Sequence, residues 1–350
     1  MSIPKIQKAQ VCTSLRVDPI YRTDFPVPEP KAHELLVHVL FSGVCHSDVS
    51  IVTGDIPMAD YIPLPVIVGH EGAGIVAKLG ENVKGFKEGD RVGIMMTLES
   101  CFECESCKTS NEHYCDKLKL AAIHSHGTFQ EYSVVSATHA HKLPDGIDLA
   151  KAAPLHCAGV TVYRALKQSG VRAGEIVAIS GAGGGLGSFA IQFAKAMGMQ
   201  VLAIDMGTTK EEHCKKLGAD FFVDACNSEL IKHIIEITKG GPHGMINVAT
   251  ATKPIEDAML YVRKRGTIVA VGLPKNPNFN ANSYVLVQRG ITLKGSFIGN
   301  RKDMDEVIQF FARGLIDVPI EIHGLSELPK LLKRLQKNEV QGRLVVDTSK

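Results

Sequence analysis

The chain has 350 residues, with 39 Lys plus Arg against 37 Asp plus Glu and a net charge of +2. Hydrophobic residues at 45% and charged residues at 22% are an ordinary globular balance, which excludes a disordered tail or a collagen-like fibre, and about two domains fit the length. There is no basic run to attract nucleic acid, no apolar stretch of the ~18–20 residues that span a bilayer, and no signal or transit peptide at the start. The expectation is a soluble cytoplasmic protein with no nucleic-acid or membrane partner. Nine cysteines, four of them between 101 and 115, point in a reducing compartment to metal ligands rather than disulfides.

Along the chain the texture changes once. Residues 1–155 carry short alternating runs such as Glu34–Leu40, Gly72–Lys78 and Asp90–Met95, broken by turn signals at Gly85 and Gly89-Asp90. They read as an irregular β-rich domain. From about residue 160 short apolar strands alternate with helices. The strands are Ile176–Ser180, Val201–Ile204, Phe221–Val223, Met245–Val248, Thr267–Val271 and Ile291–Gly295. The helices are Leu186–Met197, Lys210–Leu217, Ser228–Thr238 and Pro254–Arg265. This rhythm predicts a parallel sheet covered on both faces, a doubly wound dinucleotide-binding domain. Helices at Asp303–Arg313 and Ser326–Gln336 and a strand at Gly342–Asp347 form a tail expected to return to the first domain.

Between the first of these strands and its helix lies Ser180-Gly181-Ala182-Gly183-Gly184-Gly185-Leu186-Gly187. Glycines let a backbone approach a pyrophosphate, which the following helix N-terminus favours. The spacing reads as Gly-x-Gly-x-x-x-Gly from Gly181 or as Ala-x-Gly-x-x-Gly from Ala182, and alone it fits a flexible turn equally well. Asp205, 18 residues after Gly187 at the end of the next strand, supplies context. It stands close to the ~20 residues expected for the acid that binds the adenosine ribose, and its charge favours NAD over NADP.

Cys101, Cys104, Cys107 and Cys115 follow Cys-x2-Cys-x2-Cys-x7-Cys. Four thiolates close a tetrahedral shell around zinc and leave no open position, so this site reads as structural. An iron–sulfur run would have a shorter last gap followed by Pro, where this chain has Asp116. Cys45, His70 and Cys157 form a second constellation. Taken singly they read as buried core cysteines and a hydrogen-bonded histidine.

The order of motifs adds more. Gly-Val-Cys-His-Ser-Asp at 43–48, Gly-His-Glu-Gly-Ala-Gly at 69–74, the four-cysteine lobe and the glycine loop together resemble the zinc-containing medium-chain alcohol dehydrogenases. The likeness is greatest to the tetrameric fungal branch, and it runs to the closing Gly-Arg-Leu-Val-Val-Asp-Thr-Ser-Lys. It implies an α/β chain with a GroES-like catalytic domain at 1–157 and 298–350, holding a structural zinc lobe at 97–118, and a Rossmann NAD domain at 158–297. Two zinc ions and NAD are the implied cofactors. Cys45, His70 and Cys157 would hold the catalytic zinc, with Glu71 able to coordinate it when substrate is absent. Two Cys and one His are indeed the set known for this family's catalytic zinc, a match rather than a derivation.

Asp48 matches the carboxylate behind the zinc-bound His. His46 and Arg343 match positions facing the pyrophosphate, and Lys210 a residue near the ribose. Gly181, Gly183, Gly184, Gly185, Leu186 and Gly187 cradle the phosphates, while Val271 and Ser296 line the nicotinamide end. Ser47 matches the group that accepts the alcohol proton as hydride passes to NAD. Ile56, Met96 and Thr161 are expected in the substrate pocket. Three departures stand out: Ser50 replaces a relay His, Ile56 and Met96 replace two Trp, and His156 precedes the third ligand. The loss of the relay His puts the proton exit in doubt, while Ile56 and Met96 predict a pocket wider than ethanol needs, taking bulkier alcohols, aldehydes or ketones; the resemblance implies a homo-oligomer. An NAD-dependent polyol or aryl-alcohol dehydrogenase, or a catalytically silent zinc-stabilised binding protein, stay open as alternatives.

Overall fold

A computed structural model describes residues 3–350, which divide into two compact units. Among the described residues unit 1 comprises 3–157, 300–312 and 319–350, and unit 2 comprises 158–299 and 313–318.

Unit 1 begins with ten strands. They are β1 (Ile6–Cys12), β2 (Ile20–Pro26), β3 (Glu34–Val44), β4 (Val66–Ile67), β5 (Gly72–Leu79), β6 (Arg91–Ile94), β7 (Thr97–Glu99), β8 (Lys119–Leu120), β9 (Tyr132–Ser136) and β10 (Ala140–Lys142). Helices α1 (His46–Thr53) and α2 (Glu105–Lys108) interrupt them, and α3 (Leu149–Ala152) follows. The long strand β3 organises the main sheet, pairing antiparallel with β5 and β9. Its Leu35, Val37 and Val39 meet Val76, Val92, Ile94 and Val135 in a solvent-free core.

Unit 2 is an α/β doubly wound domain. Its strands are β11 (Ile176–Ser180), β12 (Gln200–Asp205), β13 (Phe221–Asp224), β14 (Gly244–Asn247), β15 (Thr267–Ala270) and β16 (Thr292–Gly295). Its helices are α4 (Ala158–Ser169), α5 (Gly185–Ala196), α6 (Thr208–Lys216), α7 (Leu230–Ile237), α8 (Lys253–Tyr261) and α9 (Ser283–Arg289). The six strands lie in the order β13-β12-β11-β14-β15-β16, all parallel. Every residue of β11 and β14 is buried, as central parallel strands covered on both faces must be. The edge strand β16 is largely exposed.

The chain then re-enters unit 1 with α10 (Arg301–Ala312), β17 (Ile320–Gly324), α11 (Leu328–Gln336) and β18 (Arg343–Asp347). β18 pairs antiparallel with β3 from Leu344↔Val44 to Asp347↔Phe41, which brings Arg343 beside the end of β3. Among the described residues no helix is long and apolar enough to cross a membrane.

Candidate functional site

The first constellation assembles where β3 stops. Val44 ends the strand and Cys45 stays extended, at φ −117° and ψ 156°, as the cap of α1. His70 and Glu71 come from the segment just before β5, and Cys157 caps the short 3-10 turn Ala153–His156, at the end of the first segment of unit 1. One ligand atom from each of Cys45, His70, Glu71 and Cys157 lies within 4.8 Å of all the others, and all four residues are buried.

Asp48 holds this arrangement. Its Oδ2 accepts the Cys45 N–H at 2.9 Å, and its Oδ1 accepts the Gly69 N–H at 3.1 Å and meets His70 Nδ1 at 2.9 Å. The carboxylate therefore fixes the imidazole so that Nε2 is the free nitrogen. That atom is buried and has no hydrogen-bond partner. Buried polar atoms are almost always paired, so an orphaned ring nitrogen among two thiols and a carboxylate fits a zinc ion. Gly43 completes the cradle: a methyl group there would run into the Glu71 carboxylate.

The electrostatics fit the same reading. The hydrogen bond from Cys157, with His70 also beside it, holds the Cys45 thiol well below its ordinary value despite burial. That same bond, together with burial, pushes Cys157 well up. Burial alone would lower His70, but Asp48 and Cys45 lift it well above its usual value. Burial raises Glu71 to about 7 against the pull of Arg343. Arg343 donates to both Glu71 carboxylate oxygens, at 2.6 and 2.5 Å, within a buried pair. The sequence placed Arg343 toward a pyrophosphate; the structure sets it against Glu71.

The second constellation is a knuckle around α2. Cys101, Cys104, Cys107 and Cys115 present sulfur atoms within 4.8 Å of one another. Left-handed turns at Phe102 and Ser110 bend the chain around them. Backbone N–H groups of Glu103 and Cys104 point at Cys101 Sγ, both at 3.4 Å, and hold that thiol down at about 6. Sulfur separations of 3.5 and 3.9 Å exceed the ~2.05 Å of a disulfide, and the set fits a four-thiolate zinc site. The lobe is tied to the start of α10. Arg301 donates to Glu112 through its backbone N–H at 2.9 Å and its Nε at 3.1 Å, and its guanidinium lies 4.7 Å over the Phe102 ring. The sequence reading missed this clasp, whose partners are 189 residues apart.

In unit 2 the glycine loop turns at Gly181 with φ +79° and enters α5 through its cap, Gly184. Asp205 reaches back across it. Its Oδ2 accepts the Gly183 N–H and its Oδ1 the Met206 N–H, each at 2.8 Å, and Lys210 Nζ lies 3.4 Å from Oδ1. Leu186 and Gly187 follow in the first turn of α5. Val271, Ser296 and Thr161 are buried in the same unit, and Ser296 Oγ has no partner. In unit 1, His46 is exposed at the start of α1, Ser47 is half-buried with Oγ 3.8 Å from Cys45 Sγ, Ile56 is half-buried and Met96 buried. His156 is buried, with Nδ1 3.0 Å from the Ala152 carbonyl oxygen, and stands outside the ligand set.

These features agree with the comparisons. Residues 31–145 match the alcohol dehydrogenase GroES-like domain and residues 185–313 the zinc-binding dehydrogenase domain. Alcohol dehydrogenase 2 of Caenorhabditis elegans is 46% identical over 349 residues, covering 99% of this chain and 98% of its own. The structure of a cinnamyl alcohol dehydrogenase from Sorghum bicolor superposes with a TM-score of 0.89 at 29% identity, covering 98% of each chain. That of acetophenone reductase from Geotrichum candidum, in complex with NAD, does so with 0.87 at 26%, covering 99% of each. The chain belongs to the zinc-containing medium-chain alcohol dehydrogenase family. Its activity is NAD-dependent alcohol dehydrogenation, with zinc and NAD as cofactors. This relative and a second one at 44% identity are nematode proteins; they support the family and not the fungal branch in particular.

Proposed function

We propose that Cys45, His70 and Cys157 hold the catalytic zinc, that Glu71 stands by as an alternate ligand, and that Cys101, Cys104, Cys107 and Cys115 hold the structural one. The observation that carries this is the orphaned, buried Nε2 of His70, aimed among two thiols by Asp48. A zinc ion bound there supplies a Lewis acid that makes an alcohol hydroxyl easier to deprotonate. Ser47 takes that proton at Oγ. Asp48 keeps His70 oriented throughout. The glycine loop from Gly181 to Gly187, with Asp205 and Lys210, binds the adenosine and phosphate half of NAD. Val271 and Ser296 line its nicotinamide end.

The substrate we propose is a primary or secondary alcohol bulkier than ethanol, or its aldehyde or ketone. Ile56 and Met96 stand where indoles narrow the pocket in relatives. Met is flexible enough to fit several shapes. Two structural neighbours are named for aromatic substrates, which supports the same direction. Each extra buried methylene should add roughly 0.8 kcal/mol, so kcat/KM should climb with chain length before sterics intervene. Ile56→Trp with Met96→Trp should turn the ranking toward ethanol. A wild-type enzyme that already uses ethanol best, with the ranking unmoved by the double change, would refute the pocket assignment.

A homo-oligomer, tetrameric by the resemblance, is supported by the exposed edge of β16 and by Leu273, Tyr284 and Val287, 73%, 71% and 83% exposed nearby in sequence. Sedimentation velocity checks this, and a monomer at micromolar concentration would refute it. A cytoplasmic setting is supported by nine free cysteines, and disulfides in protein taken directly from cells would oppose it.

A further inference from the structure

A hydrogen-bonded chain joins α6 to the glycine loop. Ser188, in the opening turn of α5, donates to the Gly184 carbonyl oxygen twice, through its backbone N–H at 2.9 Å and its hydroxyl at 2.8 Å. A serine hydroxyl carries one proton, and here it goes to Gly184. His213 Nε2 lies 2.9 Å from the Ser188 Oγ, so His213 is the donor in that contact and the Nε2–H tautomer is the one that fits. Burial, then Lys210 and Lys216 on the same helix, hold the imidazole below its ordinary value against the pull of Asp205, so it is neutral at pH 7.

Two consequences follow for the loop. The Gly184 carbonyl and the Gly185 N–H belong to one planar trans peptide and point in opposite directions. Fixing the carbonyl into the helix therefore fixes the N–H outward, toward whatever anion meets the helix N-terminus. Residues i and i+3 also share a helix face, so His213 sits beside Lys210. Lys210 crosses Gly183, where a methyl group would meet its Cδ at 2.8 Å, and reaches Asp205. α6 has nine residues, and its cap Gly207 offers no side-chain bond, so its placement depends on contacts like these.

We propose that His213 is a positioning residue for NAD: through Ser188 it orients the Gly184–Gly185 peptide and docks α6 so that Lys210 meets the cofactor in one arrangement. This rests on the glycine loop, Asp205 and Lys210 being the NAD site. The test measures KM for NAD, kcat and NADH affinity by fluorescence titration in His213→Leu, His213→Gln, Ser188→Ala and Lys210→Ala, with unfolding midpoints of the NAD-free proteins. His213→Leu should raise KM for NAD and the NADH Kd five-fold or more while kcat changes far less. His213→Gln, whose amide donates at similar reach, should recover most of the loss. Ser188→Ala should match His213→Leu, and the double variant should be no worse than either. Equal impairment in the Gln and Leu variants would reduce His213 to packing and overturn the proposal. So would an unchanged NAD affinity in His213→Leu while Lys210→Ala weakens it. If neither variant moves NAD affinity, the NAD-site reading fails with it. Should His213→Leu not fold, a Ser188→Ala protein with wild-type NAD affinity overturns the proposal by itself.

Discussion

At Asp205 both carboxylate oxygens are occupied by backbone N–H groups, so the charge is held in one place at the end of β12. A fixed anion there repels a 2′-phosphate, and screening by solvent is slight because Asp205 is 7% exposed. Asp205→Ser should raise the NADP-to-NAD ratio of kcat/KM about tenfold or more, roughly 1.4 kcal/mol of discrimination. Activity with NAD should fall as well, since two N–H groups lose their acceptor. A wild-type enzyme that already prefers NADP would contradict the role given to Asp205.

His139 makes a pH prediction of the opposite kind. Burial, then Arg301 and His141, lower it from 6.5 to about 4, with Glu112 opposing, and Ser100 Oγ bonds its Nε2 at 3.2 Å. The folded-state value is depressed, so the unfolded chain takes up the proton first. Stability from this residue is full above pH 6.5 and declines as pH falls from there toward 4. By pH 5.5 the loss should be about 1.4 kcal/mol, and His139→Gln should flatten that part of the profile. Parallel profiles for wild type and variant between pH 7.5 and 5.5 would count against it. Nothing in the sequence separated His139 from the other thirteen histidines, because its shift comes from neighbours on other elements.

At the scale of elements, the lobe carrying the four cysteines is clasped by α10. Glu112 is buried, and Arg301 supplies it with two donors. Burial would raise Glu112, yet the Arg301 backbone and guanidinium hold it below its ordinary range. Arg301→Leu would leave the buried carboxylate with the backbone donor alone, at a cost of about 1–3 kcal/mol. We expect one metal equivalent to leave the variant faster under a chelator while NADH affinity holds. Unchanged release kinetics would show that the lobe supports itself. Periodicity made the six parallel strands legible to within a residue or two, the central ones because buried strands are continuous apolar runs. It extended α8 to Arg265, whereas the helix ends at Tyr261 and the chain turns at Arg265 with φ +66°. It missed α9, which has no buried residue to set a stripe, and β17, which holds its place by pairing with β18.

For the molecule as a whole, the candidate metal ligands all lie in unit 1, and the glycine loop with Asp205 and Lys210 lies in unit 2. Spacing alone made the four-cysteine set readable, because its members sit within 15 residues. The other set needed the fold or a resemblance. Asp48 and His70 are 22 residues apart, and Glu71 and Arg343 are 272 apart; only the antiparallel run of β3 beside β5 and β18 brings them together. Metal content therefore tests the central claim most directly. Freshly purified wild-type protein should hold about two zinc per chain, and Cys157→Ser about one, with NADH binding retained and turnover lost. Ser47→Ala should keep both metals and still lose turnover. A wild-type chain replete with one zinc or with iron, or a Cys157→Ser protein that keeps two zinc and full activity, would contradict the account.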